Sequence, residues 1–168
     1  MKRRVVIALG SNLGDRMDNL QSAIDALFDS PGLKFLAVSP VYQTSPVGGP
    51  PQPDYLNAVL LADTTLPAYA LLERCQGVEA TLGRTRDEHW GPRTLDLDLI
   101  VYGDEVSEDP QLTLPHPRAH ERAFVLAPWL AADSGAVLPG HGPVAGLLAK
   151  TGLGGVRELD GVRLHAPA

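Results

Sequence analysis

The chain is poor in cysteine and in aromatic residues, and each shortage excludes a class of structure or function. Cys75 is its single cysteine, so no disulfide can form within the chain. We expect Cys75 to be a small core residue, and we expect the protein to reside in a reducing compartment. Phe, Trp and Tyr together make up 5% of the residues, too few for a surface that stacks the bases of a nucleic acid. The net charge of −6 also argues against nucleic-acid binding, which needs a basic surface.

Long apolar runs are missing as well. The apolar stretch near the start, residues 5–9, is far too short for a signal sequence or a membrane span. We therefore expect a cytoplasmic protein with no membrane partner. With 168 residues and 44% hydrophobic content the chain can bury a core, and we expect a single domain over residues 1–168 that acts as a monomer.

Hydrophobic periodicity predicts an α+β fold. Apolar patterns predict strands at 4–9, 33–42, 55–62 and 95–102, and helices that begin at Arg16 and Pro67. This β-α-β-β-α-β order is the ferredoxin-like split motif, an antiparallel sheet with helices packed on one face. Beyond it we expect a helix at 118–132 interrupted at Pro128, a short helix at 143–150 and a terminal hairpin at 156–164.

Two long polar connections, at 44–54 and 83–94, separate these elements. The first is rich in proline and glycine, and the second carries arginines. Connections of this length in a compact domain are typical of functional loops.

Two carboxylates stand on the fourth predicted strand. Asp96 and Asp98 alternate with leucines, so both point to the same side. Like charges this close repel each other. We therefore expect an otherwise apolar strand to carry two carboxylates only where a positively charged group binds them. Their hard oxygen ligands suit magnesium. The alternative is a half-exposed strand whose carboxylates face water.

Positive charge is concentrated in the middle of the chain, where arginines and histidines cluster: Arg84, Arg86, His89, Arg93, His116, Arg118, His120 and Arg122. The planar guanidinium suits phosphate oxygens, so we expect a small polyanionic ligand, with solvated surface arginines as the alternative. By spacing, His116 and His120 could share a metal, but nearby arginines would compete with a cation, and phosphate contact is preferred. His141 and His165 look like isolated surface residues.

Two further motifs have both a chemical and a structural interpretation. Residues 10–14 follow a strand and precede a helix, so they form either a phosphate cradle or, as we favour from this motif alone, a plain tight turn. Tyr55 and Asn57 share one face of a strand, where a ring and an amide suit a flat heterocycle. The alternative is a core tyrosine beside a turn asparagine.

Together these motifs resemble the 6-hydroxymethyl-7,8-dihydropterin pyrophosphokinase family of the folate pathway. The resemblance runs in family order over roughly residues 4–130, through segments 10–15, 42–46, 53–57, 83–86, 90–98 and 114–124. Its most specific element is Gly91-Pro92-Arg93-Thr94 followed by Asp96 and Asp98.

The resemblance implies transfer of pyrophosphate from ATP to the hydroxymethyl oxygen of the pterin, with release of AMP. It implies that two Mg²⁺ ions bind Asp96 and Asp98, and that the catalytic arginines are Arg84, Arg86 and Arg93, with Arg86 on a closing loop. The implied ATP-binding residues are Gln76, Arg84, Arg93, His116 and Arg122. The implied pterin-binding residues are Thr44, Val47, Tyr55, Asn57, Glu79 and Phe124, with Tyr55 and Phe124 on the two faces of the ring.

Two other functions fit part of the sequence. A non-catalytic ferredoxin-like domain that binds a nucleotide explains the fold and the arginines, but not Asp96 and Asp98 together. A metal-dependent nucleotidyltransferase explains the two aspartates, but gives Tyr55 and Asn57 no role.

Some members of the resembled family carry an arginine where Gln111 stands and an aromatic residue where Pro117 stands.

Overall fold

A computed structural model describes residues 2–45, 53–82 and 94–168. The elements are β1 (Arg3–Ser11), α1 (Arg16–Leu27), β2 (Leu33–Val38), β3 (Tyr42–Thr44), β4 (Tyr55–Thr64), α2 (Ala68–Leu82), β5 (Asp96–Tyr102), β6 (Ser107–Asp109), β7 (Leu112–Leu114), a 3₁₀ turn (Ala119–Glu121), α3 (Ala123–Ala132), β8 (Val137–Leu138), β9 (Gly142–Pro143), α4 (Val144–Thr151) and β10 (Arg157–Glu158).

The main sheet is antiparallel and has β1 and β4 at its centre. Its order is β10-β3-β4-β1-β5, and β2 also pairs with β4. The central pair is in register from Arg3 opposite Thr64 to Ser11 opposite Leu56. The predicted mixture of helices and an antiparallel sheet is therefore confirmed.

The strand predicted at 33–42 is wrong in one respect, because it is two strands on the same edge of β4. The break lies at Ser39, where the side-chain Oγ accepts a hydrogen bond from Val59 N at 2.9 Å in place of a backbone carbonyl. Pro40 follows and has no N–H to continue the ladder.

Helices cover both faces of the sheet. Alternate residues of β1 point to opposite faces, so Val5, Ile7 and Leu9 join the core beneath α1 and α2. Val6 joins a second core beneath α3 and α4, which contains Trp129. The first two helices share a face as predicted, while the C-terminal helices occupy the other. Cys75 is 1% exposed in the first core, as expected of a small core residue.

Two predictions for the C-terminal part are corrected. The break in the helix predicted at 118–132 falls at Arg122, which has extended backbone, whereas Pro128 lies inside α3 among buried neighbours whose packing maintains the helix. Residues 156–164 form no hairpin of their own. Instead β10 pairs with the outer edge of β3, Arg157 opposite Gln43. In the described ranges, no helix is long and apolar enough to cross a membrane.

Candidate active site

Polar side chains of β4 and β5 flank β1 on the face of the sheet that α3 covers. Gly10 on β1 is opposite both Asn57 on β4 and Asp96 on β5, and Ala8 is opposite Asp98. Directly opposite residues of antiparallel strands point to the same face. Adjacent strands lie about 4.8 Å apart, so the backbones at Asn57 and Asp96 are separated by about 10 Å. An amide and two carboxylates therefore border a strip of β1.

The two aspartates lie on one side of β5, as the alternation predicts. Leu97 and Leu99 point into the first core, while Asp96 and Asp98 are half-buried on the opposite face. Within the described residues, no group of three or more His, Cys, Asp or Glu side chains is placed to hold a metal. Two carboxylates still suit Mg²⁺, because this ion keeps several waters and takes further oxygens from substrate phosphates.

Glu79 connects α2 to the same strand. Its Oε2 accepts a hydrogen bond of 2.7 Å from Leu97 N, the backbone amide between the two aspartates. This contact fixes the start of β5 on its outer side, where no further strand of the described sheet pairs with it. The structure therefore gives Glu79 a positioning contact that the sequence did not predict. Gln76 lies on the same helix and is exposed.

His116 approaches the aspartates from the segment that precedes α3. Its backbone N–H donates to Ile100 O at 2.8 Å, and its ring Nδ1 accepts from Arg118 N at 3.2 Å. In a neutral ring this bond assigns the proton to Nε2, which remains a donor. Burial holds the pKa of His116 below its usual value; Asp98 opposes this shift, and the cations Arg122 and Arg118 add to it.

Arg122 and Phe124 mark the start of α3. The Arg122 guanidinium carbon lies 5.5 Å from the centre of the Phe124 ring, a cation–π contact that orders the cation. Phe124 packs against the second core. Because α3 packs on β4, both residues belong to the layer above the strip.

Thr44, Tyr55 and Asn57 are brought together by the pairing of β3 with β4. Thr44 is opposite Tyr55, and Asn57 Nδ2 donates to Thr44 Oγ1 across a long 3.5 Å contact. Asn57 is 6% exposed in the middle of a strand, so it is not a turn asparagine.

Side chains in and next to the turn at 10–15 bond to other parts of the chain. Asp15 caps α1 by accepting from Asp18 N at 3.1 Å. The fully buried Asn12 donates to Pro53 O at 3.1 Å, and Arg16 donates to Asp54 O at 2.9 Å. These contacts fasten the residues that precede Tyr55, and they favour the plain-turn interpretation of the motif. Sequence reasoning missed Asn12 and Arg16, because their partners lie about forty residues away.

Four of the predicted site residues, Val47, Arg84, Arg86 and Arg93, lie outside the described residues. In the described part of the chain, neither His116 nor His120 belongs to a group of three or more potential metal ligands. The ring of His120 instead stacks on His141, with centroids 4.1 Å apart, so His141 is not the isolated residue that we predicted.

Comparison with known proteins gives one consistent family. The sequence profile of 7,8-dihydro-6-hydroxymethylpterin-pyrophosphokinase (HPPK) matches residues 6–134. The 2-amino-4-hydroxy-6-hydroxymethyldihydropteridine pyrophosphokinase of Mycobacterium tuberculosis (strain H37Rv) is 44% identical over 178 residues, covering 98% of this chain and 91% of the relative. The Pseudomonas aeruginosa protein of the same name is 40% identical over 161 residues, covering 96% and 99%.

Solved structures agree on the fold. The HPPK-DHPS protein in complex with substrates superimposes with a TM-score of 0.72 at 8% identity, covering 94% of this chain and 46% of that one. Wild-type Plasmodium falciparum HPPK-DHPS with pterin and p-hydroxybenzoate gives 0.67 at 12% identity, covering 89% and 42%. The chain thus spans less than half of these structures, and at such identities they show the fold alone.

Proposed function

The chain belongs to the 7,8-dihydro-6-hydroxymethylpterin-pyrophosphokinase family, and from that premise we propose which of its residues carry the reaction. Its reaction is the transfer of pyrophosphate from ATP to 6-hydroxymethyl-7,8-dihydropterin in folate biosynthesis. The hydroxymethyl oxygen attacks the β-phosphorus of ATP, and AMP leaves. Family membership overturns the two other functions weighed from the sequence, a non-catalytic nucleotide-binding domain and a nucleotidyltransferase.

The observation that supports the site assignment best is the row Asn57–Gly10–Asp96 across the sheet. One end of the row offers an amide for the edge of a heterocycle, and the other offers carboxylates for metal-bound phosphates. Phosphoryl-type transfer depends on alignment and charge neutralisation more than on a covalent nucleophile. A row with both functions a short distance apart suits that requirement.

Asp96 and Asp98 are the proposed ligands of two Mg²⁺ ions. When bound, the metal supplies positive charge to the phosphates of ATP. The chain contributes by holding the carboxylates still: the ladder with β1 fixes one side of β5, and Glu79 fixes the other.

His116, Arg122 and Gln76 are the proposed ATP contacts within the described residues. His116 Nε2–H is a donor on a ring that interacts electrostatically with Asp98, and Arg122 is ordered against Phe124. Arg84 and Arg93 complete the proposed phosphate contacts by their match to the family motif, and Arg86 by the same match belongs to a loop that closes.

The pterin is proposed to lie against Tyr55 and Phe124, with its polar edge on Asn57 and on the backbone near Thr44 and Val47. The Asn57 Nδ2 contact to Thr44 leaves Oδ1 as an acceptor for ring N–H groups. Because Asn57 is buried, this contact discriminates strongly against rings that lack the donor.

The proposal also covers the topology of the fold, the oligomeric state, and the location and partners of the protein. The strand order and the first six predicted elements support a ferredoxin-like core. Only six large hydrophobic residues of the described chain are exposed (Leu36, Tyr69, Val106, Val137, Leu153 and Val162), and we propose a monomer. We propose a cytoplasmic location and small-molecule partners only.

Measuring AMP release tests this function. We expect AMP only when ATP, Mg²⁺ and 6-hydroxymethyl-7,8-dihydropterin are all present, in equal amount to the pterin pyrophosphate formed. AMP formation that does not depend on the pterin would contradict the assignment.

A further inference from the structure

Gly10 lies at a position where neither the backbone conformation nor the packing of the core requires glycine. It lies inside a nine-residue strand that pairs on both sides at this point. Its φ is not in the left-handed region that favours glycine. Glycine weakens the interior of a strand, and it often marks a place where a ligand approaches the backbone closely.

A Cβ added at Gly10 would enter the proposed pterin site. Its three nearest atoms would be Asn57 Oδ1 at 3.2 Å, Tyr55 Cδ1 at 3.6 Å and Leu56 O at 3.9 Å. The last two are ordinary van der Waals contacts, while the first would displace the Asn57 amide by a few tenths of an ångström. The added carbon would therefore disturb the oxygen proposed to recognise the ring, and it would leave the strand itself in place.

The space above Gly10 also lies on the path that the acceptor must span. The ring edge is held at Asn57, and the hydroxymethyl oxygen must reach the phosphates near Asp96, so the acceptor bridges two strands across β1. On this face of β1 the side chains become smaller toward the site, from Val6 through Ala8 to Gly10.

We propose that Gly10 is a specificity-determining residue for the pterin: its missing side chain keeps Asn57 Oδ1 in position and leaves the floor between Asn57 and Asp96 open to the acceptor. This inference rests on the proposed function, in which Asn57 binds the pterin edge. It assigns a role to the first residue of the 10–14 motif, which the phosphate contacts do not use.

The test is the variant Gly10→Ala, titrated with 6-hydroxymethyl-7,8-dihydropterin in the presence of Mg²⁺ and a non-hydrolysable ATP analogue. We expect the pterin Kd to rise about tenfold, as for an overpacked site, while the Kd of the analogue alone stays within about twofold. Steady-state kinetics should show the same division, with a raised KM for the pterin and a nearly unchanged KM for ATP.

Gly146→Ala is the matched control, because a Cβ at Gly146 on α4 would meet no atom within 4 Å. It should leave both affinities unchanged, and thermal unfolding should show that both variants are folded. Equal losses for pterin and nucleotide, or an unchanged pterin Kd in Gly10→Ala, would overturn the role of Gly10.

Asn57→Ala, measured in parallel, separates this inference from the site assignment. If Asn57→Ala weakens pterin binding and Gly10→Ala does not, only the role of Gly10 is wrong. If Asn57→Ala binds the pterin normally, the proposed pterin site is wrong, and the role of Gly10 is overturned with it.

Discussion

At the scale of single residues, the alternation of β5 was sufficient to place Asp96 and Asp98 on one face, because a strand has a period of two. The same rule placed Tyr55 and Asn57 together. It could not predict that Glu79 bonds Leu97 N, since that contact joins a helix to a strand eighteen residues further on. Short-range patterns reveal which residues share a face, but only the fold reveals what lies opposite them.

Asn57→Ala should weaken pterin binding by about 1–3 kcal/mol, because a buried edge contact is left unpaired. ATP-analogue binding should change far less. Calorimetry with each ligand measures both. Thr113→Ala on β7 is a control for removing a half-buried polar side chain away from this row, and it should leave pterin binding unchanged. Equal losses of affinity for the two ligands in Asn57→Ala would make this residue structural.

Cys75 should give the protein a stability that falls at alkaline pH. Burial, followed by the negative charges of Glu79 and Asp98, raises the pKa of its thiol from 9.0 to about 12. Between these values the unfolded chain has lost the thiol proton and the native chain keeps it, so the free energy of unfolding decreases as pH rises. Urea unfolding at several pH values above about 8 should show a shallower decrease for Cys75→Ala than for the unsubstituted chain. Parallel decreases would show that this thiol does not ionise differently in the two states.

At the scale of elements, the residues around a break or a turn decide what the periodicity alone leaves open. The pattern at 33–42 predicts one strand, yet Ser39 and Pro40 divide it, because a side-chain hydroxyl replaces a carbonyl and the next residue lacks an N–H. The turn after β1 also depends on a distant partner. The buried side-chain amide of Asn12 donates to Pro53 O and so holds the segment that leads into β4. Such partners are invisible in a single sequence.

Asn12→Ala should raise the KM for the pterin several-fold and leave the KM for ATP nearly unchanged. The substitution removes the donor to Pro53 O and loosens the segment that leads to Tyr55. Gln21→Ala is a suitable control, because Gln21 on α1 also bonds distant backbone, at His165, but faces the C-terminal segment. It should change neither KM. An effect of Asn12→Ala on kcat alone would contradict the positioning role.

At the scale of the whole molecule, the C-terminal segment connects the two helical layers around the edge of the sheet. It leaves α4 on one face and pairs with β3. Leu164 is then buried in the core of the opposite face, and His165 N donates to Gln21 on α1 at 2.8 Å. The sequence predicted the order of elements, but not this wrapping, because pairing between β10 and β3 spans more than a hundred residues.

Leu164→Ala should lower the free energy of unfolding by about 2–4 kcal/mol, because it leaves a cavity in the first core. Leu164 is 5% exposed, whereas Leu153 is 50% exposed. Leu153→Ala should therefore change stability by no more than about 0.5 kcal/mol in the same urea titration. Similar small values for both would mean that the C-terminal segment does not stabilise the fold.

The most direct test of the whole account is the Mg²⁺ dependence of AMP release in Asp96→Asn and Asp98→Asn. Each variant keeps the shape of the side chain and removes one charge, and each should lose about 10³-fold in turnover at limiting Mg²⁺. Asp104→Asn, in the exposed turn after β5, should match the unsubstituted enzyme. Wild-type turnover by both site variants at limiting Mg²⁺, with the fold intact, would contradict the claim that this face of β5 carries the reaction.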